Sequence, residues 1–158
     1  MSTARYPRRP PRIQVFADLK PFFFVTFNSY KRQRILANPE VHSQFRVFCE
    51  RAELEHQVAV GRYVIMPDHI HFFVCFPPYG KTLKKWIEAL RTIIGKHLLR
   101  LGIQKPHWQE GFFDHLLRSH ESYAQKWEYV RMNPVRAGLC KRAEDWPYQG
   151  EIVPLRFD

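Results

Sequence analysis

Two apolar segments, His56 to Met66 and His69 to Phe76, are separated by nothing but Pro67-Asp68. A proline-led break of two residues between two strand-length runs predicts a strand, a tight turn and a strand, so an antiparallel hairpin. Side chains alternate across a strand, and the second run therefore divides into two sets. Ile70, Phe72 and Val74 share one face and His69 and His71 the other. Whatever the chain folds into must provide a core for the first set and a use for the second.

The remaining elements can be laid around this hairpin. Phe22 to Phe27 (FFFVTF) is short, apolar and aromatic and predicts a buried strand. Asn38-Pro39 predicts a helix start, with asparagine as N-cap and proline in the first turn. Val41, Phe45, Phe48, Cys49 and Ala52 then recur at helical spacing. Pro77, Pro78 and Gly80 break the chain, and Leu83, Trp86, Ile87, Leu90, Ile94 and Leu98 mark a second amphipathic helix with Gly102 as its stop. Phe112 to Arg118 predicts a fourth strand. A third helix runs from near Ser119 to about Met132, where Asn133-Pro134 ends it, and Val135 to Leu139 form one more turn. The order β-α-β-β-α-β-α predicts an α+β fold, a ferredoxin-like βαββαβ sandwich whose antiparallel sheet carries helices on one face, with an added C-terminal helix. With 158 residues the chain is expected to be one domain. That domain is placed at residues 20–148, behind a basic N-terminal arm at 1–19 and ahead of a tail at 149–158.

Charge narrows the partners. The formal net charge is +10, with 16 arginines against 9 lysines. A globular chain this basic is matched to a polyanion, nucleic acid before an anionic membrane surface, and the arginine excess suits bidentate phosphate contacts. The arm RYPRRPPR places Arg5, Arg8, Arg9 and Arg12 together in a stretch whose prolines exclude helix and sheet interior. The longest apolar runs, Phe22 to Phe27 and Phe72 to Pro78, fall far short of the roughly 20 residues that span a bilayer. Met1 to Arg12 has no apolar stretch of the kind found in secretory signals. Cys49, Cys75 and Cys140 are odd in number and lack metal-motif spacing. A cytoplasmic protein with no membrane partner is expected.

Two constellations could carry chemistry. His69 and His71, side by side on a strand, are either two polar residues on a solvent face or two legs of a metal site. The apolar run that follows them makes an unpaired polar pair costly there. On the third helix Tyr123, Trp127 and Val130 form the core stripe, and Tyr129 lies well off it with Asn133 one turn further on. Tyr129 is either a half-exposed packing residue or a reactive group, and Asn133 a cap for the turn at Pro134, a ligand, or both at once. If the two constellations converge, two imidazoles and an amide oxygen would suit Mg2+ or Mn2+. A tyrosine hydroxyl, protonated and weak as a nucleophile at neutral pH, would then have a polarised phosphate to attack. Tyr123 is the next nucleophile to consider, and Gln125 the next amide. The remaining histidines, at 42, 56, 97, 107, 115 and 120, show no comparable pairing. The stretches around Trp108 and Trp146 read as packing elements, and no glycine-rich phosphate loop or Ser-His-Asp signature is present.

Three segments in order, YVIMPDHIHFF (63–73), WQEGFFDHLLR (108–118) and YVRMNPVRAGL (129–139), followed by Asp145-Trp146-Pro147, resemble the REP-associated tyrosine transposases. These are HUH-type relatives of the single-strand transposases of small bacterial insertion sequences, and the resemblance covers roughly residues 20 to 148. It implies a single-tyrosine transposase domain in which Tyr129 is the nucleophile on the added, catalytic helix and His69, His71 and Asn133 hold a divalent metal. It implies a bacterial enzyme of the nucleoid, monomer or homodimer, that cleaves and rejoins single-stranded DNA near palindromic hairpins through a 5′-phosphotyrosine. Arg118, Arg131 and Arg136, with the arm arginines, become candidate DNA contacts. The family motif often carries Asn where this chain has Asp68, a change in the turn from which little consequence is expected. The alternatives are a catalytically silent module that binds single-stranded nucleic acid and a metal-dependent phosphohydrolase that needs no tyrosine.

Affinity for single-stranded DNA is expected to fall steeply with salt, each neutralised phosphate adding about −0.7 to the log–log slope. Deleting residues 1–12 should make that slope shallower in a fluorescence-anisotropy titration. An unchanged slope would remove the arm from the DNA contacts.

Overall fold

The computed structural model of the protein describes residues 22–77 and 79–155. The basic arm, with Arg5, Arg8, Arg9 and Arg12, lies outside the described residues. Strand β1 is Phe22–Asn28, followed by helix α1 (Pro39–His56), strands β2 (Ala59–Ile65) and β3 (His69–Cys75), helix α2 (Leu83–Arg100), strand β4 (Phe113–Leu117), helix α3 (His120–Arg131), the short helix α4 (Asn133–Arg136) and strand β5 (Gln149–Glu151). The strands form one sheet in the order β4-β1-β3-β2-β5, and every pairing is antiparallel. The α+β sandwich expected from the sequence is what forms.

Local signals explain most boundaries. Asn38 caps α1, its side chain accepting from the Val41 N–H at 2.9 Å. Thr82 and Ser119 cap α2 and α3 in the same way. Gly102, with φ +85°, follows the end of α2 as expected. The hairpin closes across Pro67-Asp68 through Met66 N–H to His69 O at 2.8 Å. Its turn is tied down further by Leu36 N–H to Pro67 O and Ser29 N–H to Asp68 O, both 2.9 Å.

Two boundaries differ from the sequence reading. His56 does not begin a strand. It is the last residue of α1, because Ala52 to Glu55 are good helix formers and Arg51 pairs with Glu55 one turn on at 3.1 Å. The chain leaves that helix through Gln57 in the left-handed region at φ +59°. Residues 149–151, placed by sequence in a tail, pair as β5 with the edge of β2.

The helices cover both faces of the sheet. On one side α1 and α2 bury Val41, Phe45, Cys49, Trp86, Leu90 and Ile94 against Val25, Phe27, Ile70, Phe72 and Val74. Edge-to-face contacts such as Phe48 with Trp86, with ring centroids 5.3 Å apart, contribute roughly 0.5–1.5 kcal/mol each beyond their buried area. On the other side α3 lays Tyr123 and Val130 over Phe22, Phe24, Phe73 and Cys75. The added helix therefore does not join the other two on one face. It seals the opposite face, the one that carries His69 and His71. Trp146 pins the C-terminal segment beneath it, its indole N–H donating to Ile65 O at 3.0 Å. No helix of the described residues is long and apolar enough to cross a membrane.

β5 is held where a side chain at Gly150 would have no room. A Cβ there would lie 2.8 Å from the Tyr63 hydroxyl and 2.9 Å from Arg46 Nη1. Tyr63 is fully buried and its hydroxyl is fixed by His42 at 2.7 Å and Arg46 at 2.8 Å. Gly150→Ala should therefore cost about 1–3 kcal/mol in a urea melt, in the range of an overpacked core. An unchanged midpoint would show that β5 gives way at no cost.

Candidate active site

Strand β3 lies between β1 and β2, and its register is fixed on both sides, with Thr26 opposite His71 and Asn28 opposite His69. This rigid placement brings the two imidazoles together. Their Nε2 atoms are 3.1 Å apart. The Nδ1 atoms point the other way and each has a partner, Asp68 Oδ1 at 2.7 Å for His69 and Thr26 Oγ1 at 2.7 Å for His71. With the proton on Nδ1 of each ring, both Nε2 lone pairs face one point. Two ring nitrogens this close need a proton or a cation between them.

The electrostatics keep both rings neutral. Burial pushes the His71 imidazole down to about 3, and the charges of His69, Lys126, Arg32 and Arg136 act in the same direction. Burial lowers His69 as well, against the raising effect of the Asp68 hydrogen bond. Burial raises the Asp68 carboxyl, but the interactions with the His69 ring and the Arg32 guanidinium outweigh it and hold it below its ordinary value. Neutral imidazole is the form that ligates a metal. Among the described residues no cluster of three or more His, Cys, Asp or Glu side chains is arranged as a metal centre. A metal on the histidine pair would have to draw its other ligands from elsewhere, such as an amide or phosphate oxygens.

Asp68 has the consequence that the sequence reading did not give it. Its carboxylate orients His69 and is itself held by Arg32 Nε at 3.0 Å. An asparagine could supply one acceptor there but not the charge. Arg32 reaches this position from the turn after β1, where Lys31 and Arg32 both take left-handed conformations at φ +52° and +54°.

Helix α3 supplies the second half. Tyr123 and Val130 are buried, and Tyr129 is 62% exposed. The stripe read from the sequence is the stripe that packs, with Trp127 partly buried at its edge, 6.4 Å from Phe73. Tyr123, the alternative nucleophile, packs 4.7 Å from Phe73, and burial pushes its hydroxyl up to about 12. It is unsuited to that role. Lys126, one turn before Tyr129, lies 5.1 Å over the Phe24 ring, which stacks on His71 at 5.4 Å. That chain of contacts sets α3 against the sheet face that carries the histidine pair.

Asn133 is not a cap. It is the first residue of α4, and no side chain caps that helix. Its Oδ1 instead accepts from Arg136 Nη2. The arginine folds back because only three residues separate the two on one helical turn. Of the other candidate contacts, Arg131 is paired with Glu128 at 2.9 Å, and Arg118 is exposed just beyond β4. Gln125, the fallback amide, donates to Glu121 at 3.4 Å. Sequence reasoning missed Thr26, Arg32 and Lys126. Strand register and a turn conformation bring the first two in, and only Lys126, spaced one turn from Tyr129, left a signal. Trp108 and Trp146 are packing residues as expected, the former 5.3 Å from Phe27.

An open α+β sandwich with a histidine pair on its central strand and an exposed tyrosine on a helix beside it is the arrangement of a tyrosine transposase. The family described as "Transposase IS200 like" matches residues 22–132, and the chain belongs to it. Within that class the similar curated proteins are REP-associated tyrosine transposases. One from Haemophilus influenzae, described as such, is 30% identical over 119 residues, which is 69% of this chain and 65% of that protein. The chain thus spans just under two thirds of that relative. The REP-associated tyrosine transposase of Escherichia coli is 24% identical over 127 residues, covering 80% of this chain and 73% of that one. A REP-associated tyrosine transposase solved bound to a REP hairpin superposes with a TM-score of 0.65 at 21% identity, covering 93% of this chain and 82% of its own. That likeness is one of fold.

Removing the carboxylate that orients His69 should cost metal affinity. Asp68→Ala is expected to weaken Mn2+ binding about 10- to 100-fold, and Asp68→Asn by less, with both variants melting near the wild type. Calorimetric titration checks this, and wild-type affinity in Asp68→Ala would mean that Asp68 does not set the ring.

Proposed function

We propose that this protein is a metal-dependent single-stranded DNA strand transferase that cuts and rejoins DNA beside palindromic hairpins, with Tyr129 as the nucleophile. The reading is carried by one observation. A tyrosine 62% exposed stands on a helix whose other face is core, and that helix lies, through Lys126 over Phe24, against the sheet face where two imidazole Nε2 atoms converge at 3.1 Å. The hairpin comes from the relatives, which are REP-associated, one of them solved with a REP hairpin. The basic charge and the absence of a long apolar helix among the described residues fit a DNA partner in the bacterial cytoplasm.

His69, His71 and Asn133 would hold the metal, and the donor set of two nitrogens and an amide oxygen suits Mg2+ or Mn2+. When bound, the metal supplies Lewis-acid polarisation of the scissile phosphate. The protein's own groups do the rest. Asp68 and Thr26 fix the imidazole orientation. Lys126 adds positive charge where the phosphate arrives. The Tyr129 oxygen loses its proton and bonds to phosphorus while the bond from phosphorus to the 3′ oxygen breaks. The departing 3′ oxygen takes up a proton, and the 5′ phosphate stays on the tyrosine. The reverse attack by a 3′ hydroxyl rejoins a strand, so no bond energy is lost to water. Arg118, Arg131 and Arg136, the candidates that the family resemblance offered, are assigned to the DNA strand, with the arm arginines beyond the described residues.

A labelled hairpin with a single-stranded 5′ flank should give a covalent adduct that survives denaturation, and the adduct should need a divalent cation. Tyr129→Phe should remove it entirely, and His69→Ala or His71→Ala should reduce it at least a hundredfold, on the order of losing an electrostatic stabiliser of the transition state. An adduct formed by Tyr129→Phe refutes the nucleophile, undiminished cleavage in excess chelator refutes the metal, and binding without cleavage leaves a silent binding module.

A further inference from the structure

Arg136 touches both the proposed nucleophile and one of the proposed metal ligands. Its guanidinium lies 3.8 Å over the centroid of the Tyr129 ring. Nη2 donates to the backbone carbonyl of Tyr129 at 2.5 Å and to Oδ1 of Asn133. The side chain is exposed, and it stands close enough to His71 for its charge to be felt there. Arg131, five residues earlier, is by contrast neutralised by Glu128 at 2.9 Å.

These contacts have a cost for metal binding. An amide oxygen has two lone pairs, so a guanidinium and a metal could in principle share it. Two cations on one oxygen repel, however, and the guanidinium also brings its charge to the histidine pair. A phosphate changes the balance. The guanidinium fork binds a phosphate anion through two charge-assisted hydrogen bonds, which are stronger than its bond to a neutral amide. Arrival of the strand therefore favours exchange of the amide for the phosphate.

We propose that Arg136 is a positioning residue that gates the metal site: it holds the Asn133 amide oxygen away from the cation until a DNA phosphate draws the guanidinium off. The gate rests on the reading of His69, His71 and Asn133 as metal ligands. It makes metal and DNA bind cooperatively, and by linkage each tightens the other by the same factor. It guards a DNA-cutting site against loading with metal in the absence of a target.

The test is Mn2+ titration by calorimetry, without and with oligothymidylate, in a Tyr129→Phe background that keeps the ring under Arg136 and prevents cutting. Arg136→Ala is expected to bind Mn2+ roughly tenfold tighter than its parent without DNA, about the effect of one charged hydrogen bond. Oligothymidylate should tighten Mn2+ binding in the parent by a larger factor than in Arg136→Ala. Arg136→Lys keeps the charge without the fork and should fall between the two. Equal Mn2+ affinity and equal DNA enhancement in parent and Arg136→Ala overturn the gate, and so does weaker Mn2+ binding in Arg136→Ala, which would make the arginine a support for the ligand. His69→Ala separates the two readings. If it binds Mn2+ like the parent, the metal site itself falls and the gate with it. If it loses Mn2+ while Arg136→Ala is unchanged, only the gate falls.

Discussion

Strand β3 has hydrogen-bonded neighbours on both sides and packed helices on both faces. Slipping its register by one residue would drive His69 and His71 into the aromatic core beneath α1 and α2 and expel Ile70 and Phe72 from it. Neither change is tolerable, because neutral imidazoles without partners and exposed core residues are both costly. The alternation of one strand thus ties stability and chemistry together. It also explains why Thr26 can serve His71, since only a locked register sets a β1 side chain opposite it.

The second half of the site depends on how α3 ends. Val130 and Pro134 are both buried and bracket the end of the helix. Between them Asn133-Pro134 interrupts the hydrogen-bond ladder and starts a new helical turn. The buried pair holds this corner against the sheet, which leaves Tyr129 outside and lets Arg136 fold back over it. A large exposed aromatic contributes little to stability. Its ring is met by the Arg136 guanidinium, 3.8 Å from the centroid.

Much of this could be read from the residues alone, where a local rule governs. Asn38-Pro39, Thr82, Ser119 and Gly102 mark helix ends through capping and left-handed geometry that involve only neighbours in the chain. The division of 69–75 into two faces follows from strand geometry, and the stripe of Tyr123, Trp127 and Val130 from helix geometry. β5 was not legible, because Gln149-Gly150-Glu151 has no apolar alternation. It pairs because Trp146 anchors the preceding residues under β2. The end of α1 was misplaced because His56 adjoins an apolar strand, and a histidine carries little preference of its own. Asn133 looked like a cap from its place before a proline, but its side chain went to a charged donor three residues on.

The sequence by itself determined the order of the elements as far as α4, the family, and which residues are candidates to react, because side-chain chemistry and local periodicity are properties of short segments. Only the tertiary structure decided which face each helix covers, that Asp68 and Thr26 orient the two imidazoles, and that Arg136 lies on Tyr129 and Asn133. Those arrangements join residues far apart in the chain or depend on which rotamer packing permits. They arise when the sheet closes and its two faces acquire different cores, one filled by α1 and α2 and the other shared between α3 and the histidine pair.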